Sequence, residues 1–185
     1  MPSALPPFKR VVTGHDADGR AIISQSGAPP QAFASRTLPG TVFHEIWKTR
    51  ATPAPVDNGA DPTLVPLQMP PPPHGSAVRV VDIPPDSIQE RLPPEQMAAH
   101  FAEMGGAHAG QAGTDPRHRF MHRTETIDYG IVVAGKVWLV LDEDEIELSP
   151  GDIVVQRGTN HAWSNRTESV ARMMFVLLDG RFALP

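Results

Sequence analysis

The chain has 185 residues, which suffices for one well-buried core. Of these residues 40% are apolar and 20% are charged, and the 21 prolines and 15 glycines favour strands and loops over long helices. The formal charge of −5, without clusters of Lys or Arg, gives no reason to expect nucleic acid or an anionic membrane as a partner. There is no cysteine, which excludes disulfides and leaves His and carboxylates as the side chains that can hold a metal.

The N-terminal part of the chain is predicted to form strands that pack on a later domain. Its first ten residues lack the apolar segment of a signal peptide, and no apolar run reaches the ~20 residues of a membrane span, so we expect a soluble, cytoplasmic protein. β-branched runs flank the turn sequence at 16–19 and predict a hairpin. A second strand is expected at 41–49. The proline-rich stretch 52–75 cannot join a central strand and is predicted to be an ordered surface loop. We therefore assign residues 1–75 to an N-terminal extension that forms one structural domain together with residues 76–185.

Residues 76–185 are predicted to form the main domain. A strand over 76–83 stops at Pro84, and the segment 94–104 is predicted to be the one helix, because prolines stand at its start and glycines follow it. Its face carrying Met97, Phe101 and Met104 is expected to pack on a sheet, and a loop should follow over 105–116. Closely spaced strands are then expected at 118–122, 127–133, 136–142, 145–149, 152–157, 161–165 and 170–178. The fold class is all-β, a sandwich or barrel with N-terminal extra strands and one short helix.

The segment "GDIVVQRGTNHAWSN" carries a motif. Gly158 is followed after two residues by His161 and after three more by Asn165. This spacing resembles the second motif of the cupin superfamily, whose members are double-stranded β-helices (jelly-roll barrels). The first motif of that family is degraded here: counting back from Gly135, its glutamate position holds Asp128, and its histidine pair falls on His122 and Thr124.

The resemblance implies that His122, Asp128 and His161 converge inside the barrel as metal ligands. Two histidines and one carboxylate suit Fe(II) with open positions, and Zn²⁺ or Mn²⁺ also fits such a set. On one straight strand His122 and Asp128 would lie about 20 Å apart, so the chain must reverse between them for one ion to bridge them. The alternative is a cupin that has lost its metal. Glu125 is a possible substitute ligand if the turn is bulged.

Three neighbouring residues are candidates for substrate binding. Trp163 should share the face of His161, Arg157 could clamp a carboxylate, and Thr124 occupies the position of the missing histidine. Two of them have a plain structural alternative: core packing for Trp163 and an exposed strand end for Arg157.

The resemblance implies an enzyme that acts on a small organic molecule at one divalent metal ion, as a dioxygenase, decarboxylase or isomerase. One alternative is a metal-free module that binds a small ligand in the barrel mouth. Another is a metal-independent dehydratase or isomerase in which His161 and Asp128 act as acid and base. The strands around 131–133 and 137–141 are apolar on both faces, so the N-terminal strands, the helix or a second subunit should cover the outer face. We expect a homodimer.

Overall fold

The computed structural model describes residues 4–90, 92–104 and 117–183. In chain order its elements are β1 (Arg10–His15), β2 (Ala21–Gly27), β3 (Gln31–Ala34), β4 (Val42–Thr49), β5 (Ser76–Ile83), α1 (Asp86–Gln89), α2 (Pro94–Glu103), β6 (Thr126–Ala134), β7 (Val137–Leu141), β8 (Glu145–Leu148), β9 (Ile153–Gln156), β10 (His161–Ser164) and β11 (Ala171–Asp179).

The described strands form three antiparallel sheets. The largest has six strands in the order β3-β4-β5-β11-β6-β9, the second has three in the order β10-β7-β8, and β1 pairs with β2 alone. The central strand β11 pairs over most of its length with both β5 and β6. The larger sheet therefore joins strands that are distant in the chain.

The hydrophobic core lies between the six-stranded and the three-stranded sheets. Val81, Met173 and Phe175 enter it from the larger sheet, while Val137 and Leu139 enter it from the smaller one. These residues occupy alternate positions along their strands, as expected for side chains that share one face of a strand. The predicted all-β sandwich or barrel is confirmed.

Two of the four N-terminal strands, β3 and β4, are part of the larger sheet. β4 pairs in register with β5, and β3 pairs with β4. The proline-rich loop that follows β4 contributes Leu67 and Met69 to the core. This loop therefore closes one side of the barrel.

Most predicted elements are observed within a residue or two of their expected bounds. The hairpin forms with Gly19 at a φ of 77°, and α2 begins at Pro94, where a missing N–H leaves no helical hydrogen bond unmade. The side chains of Met97 and Phe101 and the predicted loop at 105–116 lie outside the described residues.

Three local assignments differ from the prediction. Residues 118–122 were expected to form a strand, but they pair only at His122, in an isolated bridge with His161. The short elements β3 and α1 were not predicted. Both have four residues, too few for either period of side-chain burial to stand out in the sequence.

Candidate functional site

Two histidines meet where the bridge joins the segment before β6 to the start of β10. The backbone N–H of His122 donates to the carbonyl of His161 at 2.9 Å, and the N–H of His161 donates back at 3.0 Å. Directly opposed residues of an antiparallel pair project their side chains to the same face. The two imidazole rings accordingly lie with their centroids 4.3 Å apart.

Backbone carbonyls fix the protonation of both rings. Nδ1 of His122 donates to the carbonyl of Phe120 at 2.8 Å, and Nδ1 of His161 donates to the carbonyl of Thr159 at 2.9 Å. A carbonyl only accepts, so each ring carries its proton on Nδ1 and a lone pair on Nε2. Burial lowers the pKa of both histidines, and for His161 the neighbouring His122 lowers it further. Both rings are therefore neutral at physiological pH, in the tautomer of a metal ligand bound through Nε2.

Asp128 supplies a carboxyl group to the same cavity. It lies on β6 between Gln156 of β9 and Leu177 of β11, and it is 6% exposed. Burial raises the pKa of Asp128 to about 6, against the opposing effects of the Thr126 hydroxyl and the charge of Arg79. Its Oδ1 atom has no hydrogen-bond partner within residues 4–90, 92–104 and 117–183. A buried carboxylate oxygen without a hydrogen-bond partner indicates a position where a ligand could bind it.

The cavity that these residues line has a volume of about 160 Å³ and is mainly apolar. Four aromatic side chains contribute to its wall: Phe43, Phe120, Trp163 and Phe175. Trp163 stands edge-on to both His161 and Phe175, with ring centroids 5.7 Å and 5.4 Å away. The cavity is thus shaped for a small organic molecule with a flat apolar part.

The structure brings together five of the six residues singled out from the sequence. His122, Thr124, Asp128, His161 and Trp163 all line the cavity, whereas Arg157 does not. Arg157 directly follows the buried end of β9 and is exposed, because successive residues of an extended chain face opposite sides. Glu125, the possible substitute ligand, is also exposed and accepts a hydrogen bond from the N–H of Phe182.

Arg79 is a cavity residue that the sequence analysis missed. It is 4% exposed on β5, and its guanidinium donates to Glu45 and to the carbonyls of Gln68 and Met69. Lys48 forms a further ion pair with Glu45 at 2.7 Å. The sequence carried one signal for this residue, because Arg79 stands inside the otherwise apolar run "AVRVV". An arginine is seldom buried unless it is paired, so this position indicated an arginine with a buried partner.

His100 and Thr41 were also missed. His100 lies on α2, is 4% exposed and lines the cavity, with its Nδ1 atom 3.1 Å from the hydroxyl of Ser35. Burial, with a smaller contribution from His122, lowers the pKa of His100 to about 4 against the opposing charge of Glu103. Thr41 precedes β4 and lines the cavity as well. Neither residue belongs to a motif, so only the tertiary structure places them here.

The donor groups fit a divalent metal in their chemistry. Two neutral imidazoles with Nε2 lone pairs and one unpaired carboxylate oxygen are the kinds of ligand that Fe(II), Mn²⁺ and Zn²⁺ take. Among the described residues, no three His, Asp or Glu side chains lie close enough together to form a complete ligand group. The imidazole pair and Asp128 line the same cavity.

The described part of the chain contains no helix long and apolar enough to cross a membrane.

Comparison with known proteins finds relatives that match nearly the whole chain. The family model for the cupin domain matches residues 108–177. A phomopsin biosynthesis cluster protein D of Diaporthe leptostromiformis is 34% identical over 180 residues, which cover 93% of this chain and 78% of that protein.

A further relative and a solved structure are also similar to this chain. The cupin-domain-containing oxidoreductase fogC of Aspergillus ruber is 30% identical over 179 residues, which cover 92% of this chain and 71% of that protein. Among solved structures, a cupin-2 domain of Rhodospirillum rubrum matches with a TM-score of 0.46 and 12% identity, covering 88% of this chain and 80% of that one.

Proposed function

The chain belongs to the cupin superfamily, and we propose that it is an oxidoreductase that transforms a small organic molecule at one divalent metal ion. His122 and His161 would hold the metal, with Asp128 as the carboxylate ligand from the same cavity. The names of several relatives, which are cupin-domain-containing oxidoreductases, support the reaction class.

One observation carries the proposal. The two imidazoles stand side by side with both Nδ1 protons tied to backbone carbonyls, inside a cavity lined by apolar side chains. A histidine that only packs in a core does not need this paired arrangement. A metal-binding histidine does, because the hydrogen bond from its Nδ1 atom fixes the orientation and the tautomer of the ring.

The protein's own residues provide orientation, exclusion of water and a carboxylate. The aromatic wall holds a flat substrate beside the histidines and excludes water, which strengthens every polar interaction inside the cavity. In the metal-free protein the pKa of Asp128 is raised to about 6, so most of its carboxyl group is ionised at physiological pH and can serve as the carboxylate ligand. A bound divalent ion would act as a Lewis acid on a substrate oxygen and, if it is iron, would supply redox chemistry.

The test is oxygen uptake by purified protein incubated with Fe(II) and a panel of phenols, enols and β-diketones. We expect uptake with at least one compound, and loss of about 10²-fold or more in His161→Ala. His15→Ala is the matched control, because His15 is exposed on β1; its uptake should equal that of the wild type. Equal uptake by His161→Ala and the wild type would contradict the proposal.

A metal-independent acid–base enzyme is the second candidate, and the raised pKa of Asp128 beside two neutral imidazoles favours it. In that case a compound of the panel would be isomerised or dehydrated without oxygen uptake, and the activity would survive exhaustive chelation. Saturable binding without any turnover would instead favour a ligand-binding module.

A further inference from the structure

Thr41 presents a buried hydroxyl to the cavity. The residue is 6% exposed, it lines the cavity, and its Oγ1 atom has no hydrogen-bond partner in the described part of the chain. Its backbone is fully engaged: the N–H donates to Leu38 at 3.1 Å and the carbonyl accepts from Ser35 at 3.0 Å. The backbone thus holds the hydroxyl in place. A buried hydroxyl without a partner destabilises the fold, so a partner from outside the chain is the simplest explanation.

The position of Thr41 in the sheet separates it from the histidine end of the cavity. Thr41 precedes Val42 at the start of β4, whereas Asp128 lies on β6, and β5 and β11 stand between them. Three strand spacings amount to about 14 Å measured along the sheet. The cavity therefore has two polar ends, one at the histidine pair with Asp128 and the other at Thr41.

The wall between these ends is mainly apolar and rich in aromatic rings, and Arg79 of β5 is a charged residue that also lines it. Phe43 follows Thr41 by two residues and faces the cavity, and Val81 and Phe175 continue the wall on the next strands. Trp163 packs against Phe175 from the other sheet. Flat aromatic surfaces of this kind favour a planar partner.

We propose that Thr41 is a specificity-determining residue and that its hydroxyl binds an oxygen substituent at the far end of the substrate. The substrate is an elongated, planar, largely apolar molecule with oxygen functions at both ends. This inference rests on the proposed function for the assignment of the reacting end to the histidine pair.

A matched pair of probes tests the inference: 2-naphthol, which has one hydroxyl, and naphthalene-2,6-diol, which adds a second at the opposite end. Titration calorimetry on the wild type should show the diol binding about fivefold tighter or more, the effect of one hydrogen bond and more than the twofold statistical advantage of a symmetric ligand. Thr41→Val should reduce this preference to the statistical factor. Thr63→Val is the control, since Thr63 is equally buried but donates to Asp61 at 2.6 Å outside the cavity; it should keep the preference.

Melting temperatures give an independent outcome for the free protein. Thr41→Val removes an unpaired hydroxyl and keeps the shape of the side chain, so its melting temperature should equal or exceed that of the wild type. Thr63→Val breaks a hydrogen bond and should melt lower. A Thr41→Val protein that melts as low as Thr63→Val would show that the hydroxyl has a partner within the fold, which would overturn the inference.

Binding outcomes separate this inference from the proposed function. Equal affinity of the wild type for both naphthols, a preference that survives Thr41→Val, or no binding of either naphthol would overturn the inference. His161→Ala should weaken both naphthols by the same factor. If it weakens neither while the Thr41-dependent preference persists, the role of Thr41 stands and the assignment of the reacting end fails.

Discussion

Asp128 is a carboxyl group that folding buries in a cavity lined mainly by apolar side chains, and burial raises its pKa from 3.8 to about 6. Between these two values the folded protein binds more protons than the unfolded chain. Stability therefore falls as pH rises through this window, and above it the full cost of ionising Asp128, about 3 kcal/mol, is present. This cost supports the proposed role of Asp128 in ligand or proton chemistry.

Asp128→Asn should remove that cost. With a chelator present, we expect the variant to be more stable than the wild type by up to about 3 kcal/mol at about pH 8, and the difference to vanish near about pH 4. The proposed activity should be lost. Urea denaturation at both pH values measures the difference.

Asp18→Asn is the control for this comparison, because Asp18 is exposed in the turn between β1 and β2. Its stability should follow that of the wild type at both pH values. An Asp128→Asn protein less stable than the wild type at the higher pH would contradict the conclusion that the carboxylate is buried without sufficient partners.

At the scale of elements, α2 closes one end of the cavity. Its residues His100 and Met104 line the cavity, and Glu103 accepts hydrogen bonds from Arg36 at 2.8 Å and from Thr37 at 3.2 Å. Arg36 is mostly exposed, so this ion pair adds little to global stability. Its role is to hold a short helix against the segment that precedes β4.

Glu103→Gln should loosen α2 without unfolding the protein. We expect the free energy of unfolding to change by less than about 1 kcal/mol, while amide hydrogen exchange becomes faster across α2 and stays unchanged in β6 and β11. Lys136→Gln, which breaks an exposed ion pair with Glu147 in the smaller sheet, is the control and should leave exchange in α2 unaltered. Unchanged exchange in α2 of Glu103→Gln would show that other contacts fix the helix.

For the molecule as a whole, the local patterns determine the strands but not the cavity. The hairpin, α2 and the strands from β6 to β11 could be predicted because alternation, turn glycines and helix-start prolines are short-range signals. His122 and His161 could be paired only through a family motif. Arg79, His100 and Thr41 reach the cavity from β5, α2 and the start of β4, and no local pattern encodes contacts between such distant segments.

The outer face of the larger sheet carries exposed apolar residues. Tyr129 and Val133 of β6, together with Ile153 and Val155 of the edge strand β9, are between 40% and 67% exposed. The described strands β1 to β3 and helix α2 therefore do not cover this face. The sequence analysis named three possible covers for an apolar outer face: the N-terminal strands, the helix or a second subunit. Since the described strands and α2 do not cover it, a second subunit is the remaining one, and the homodimer stays a prediction.

The most direct test of the metal site is elemental analysis by mass spectrometry. Protein purified without a metal-binding tag would be analysed before and after incubation with Fe(II), Mn(II) or Zn(II), beside His161→Ala and the exposed-histidine control His15→Ala. We predict close to one metal ion per chain in the wild type and the control, and almost none in His161→Ala. Absence of metal from the wild type under every loading condition, or equal metal in all three proteins, would contradict a site built on His122 and His161.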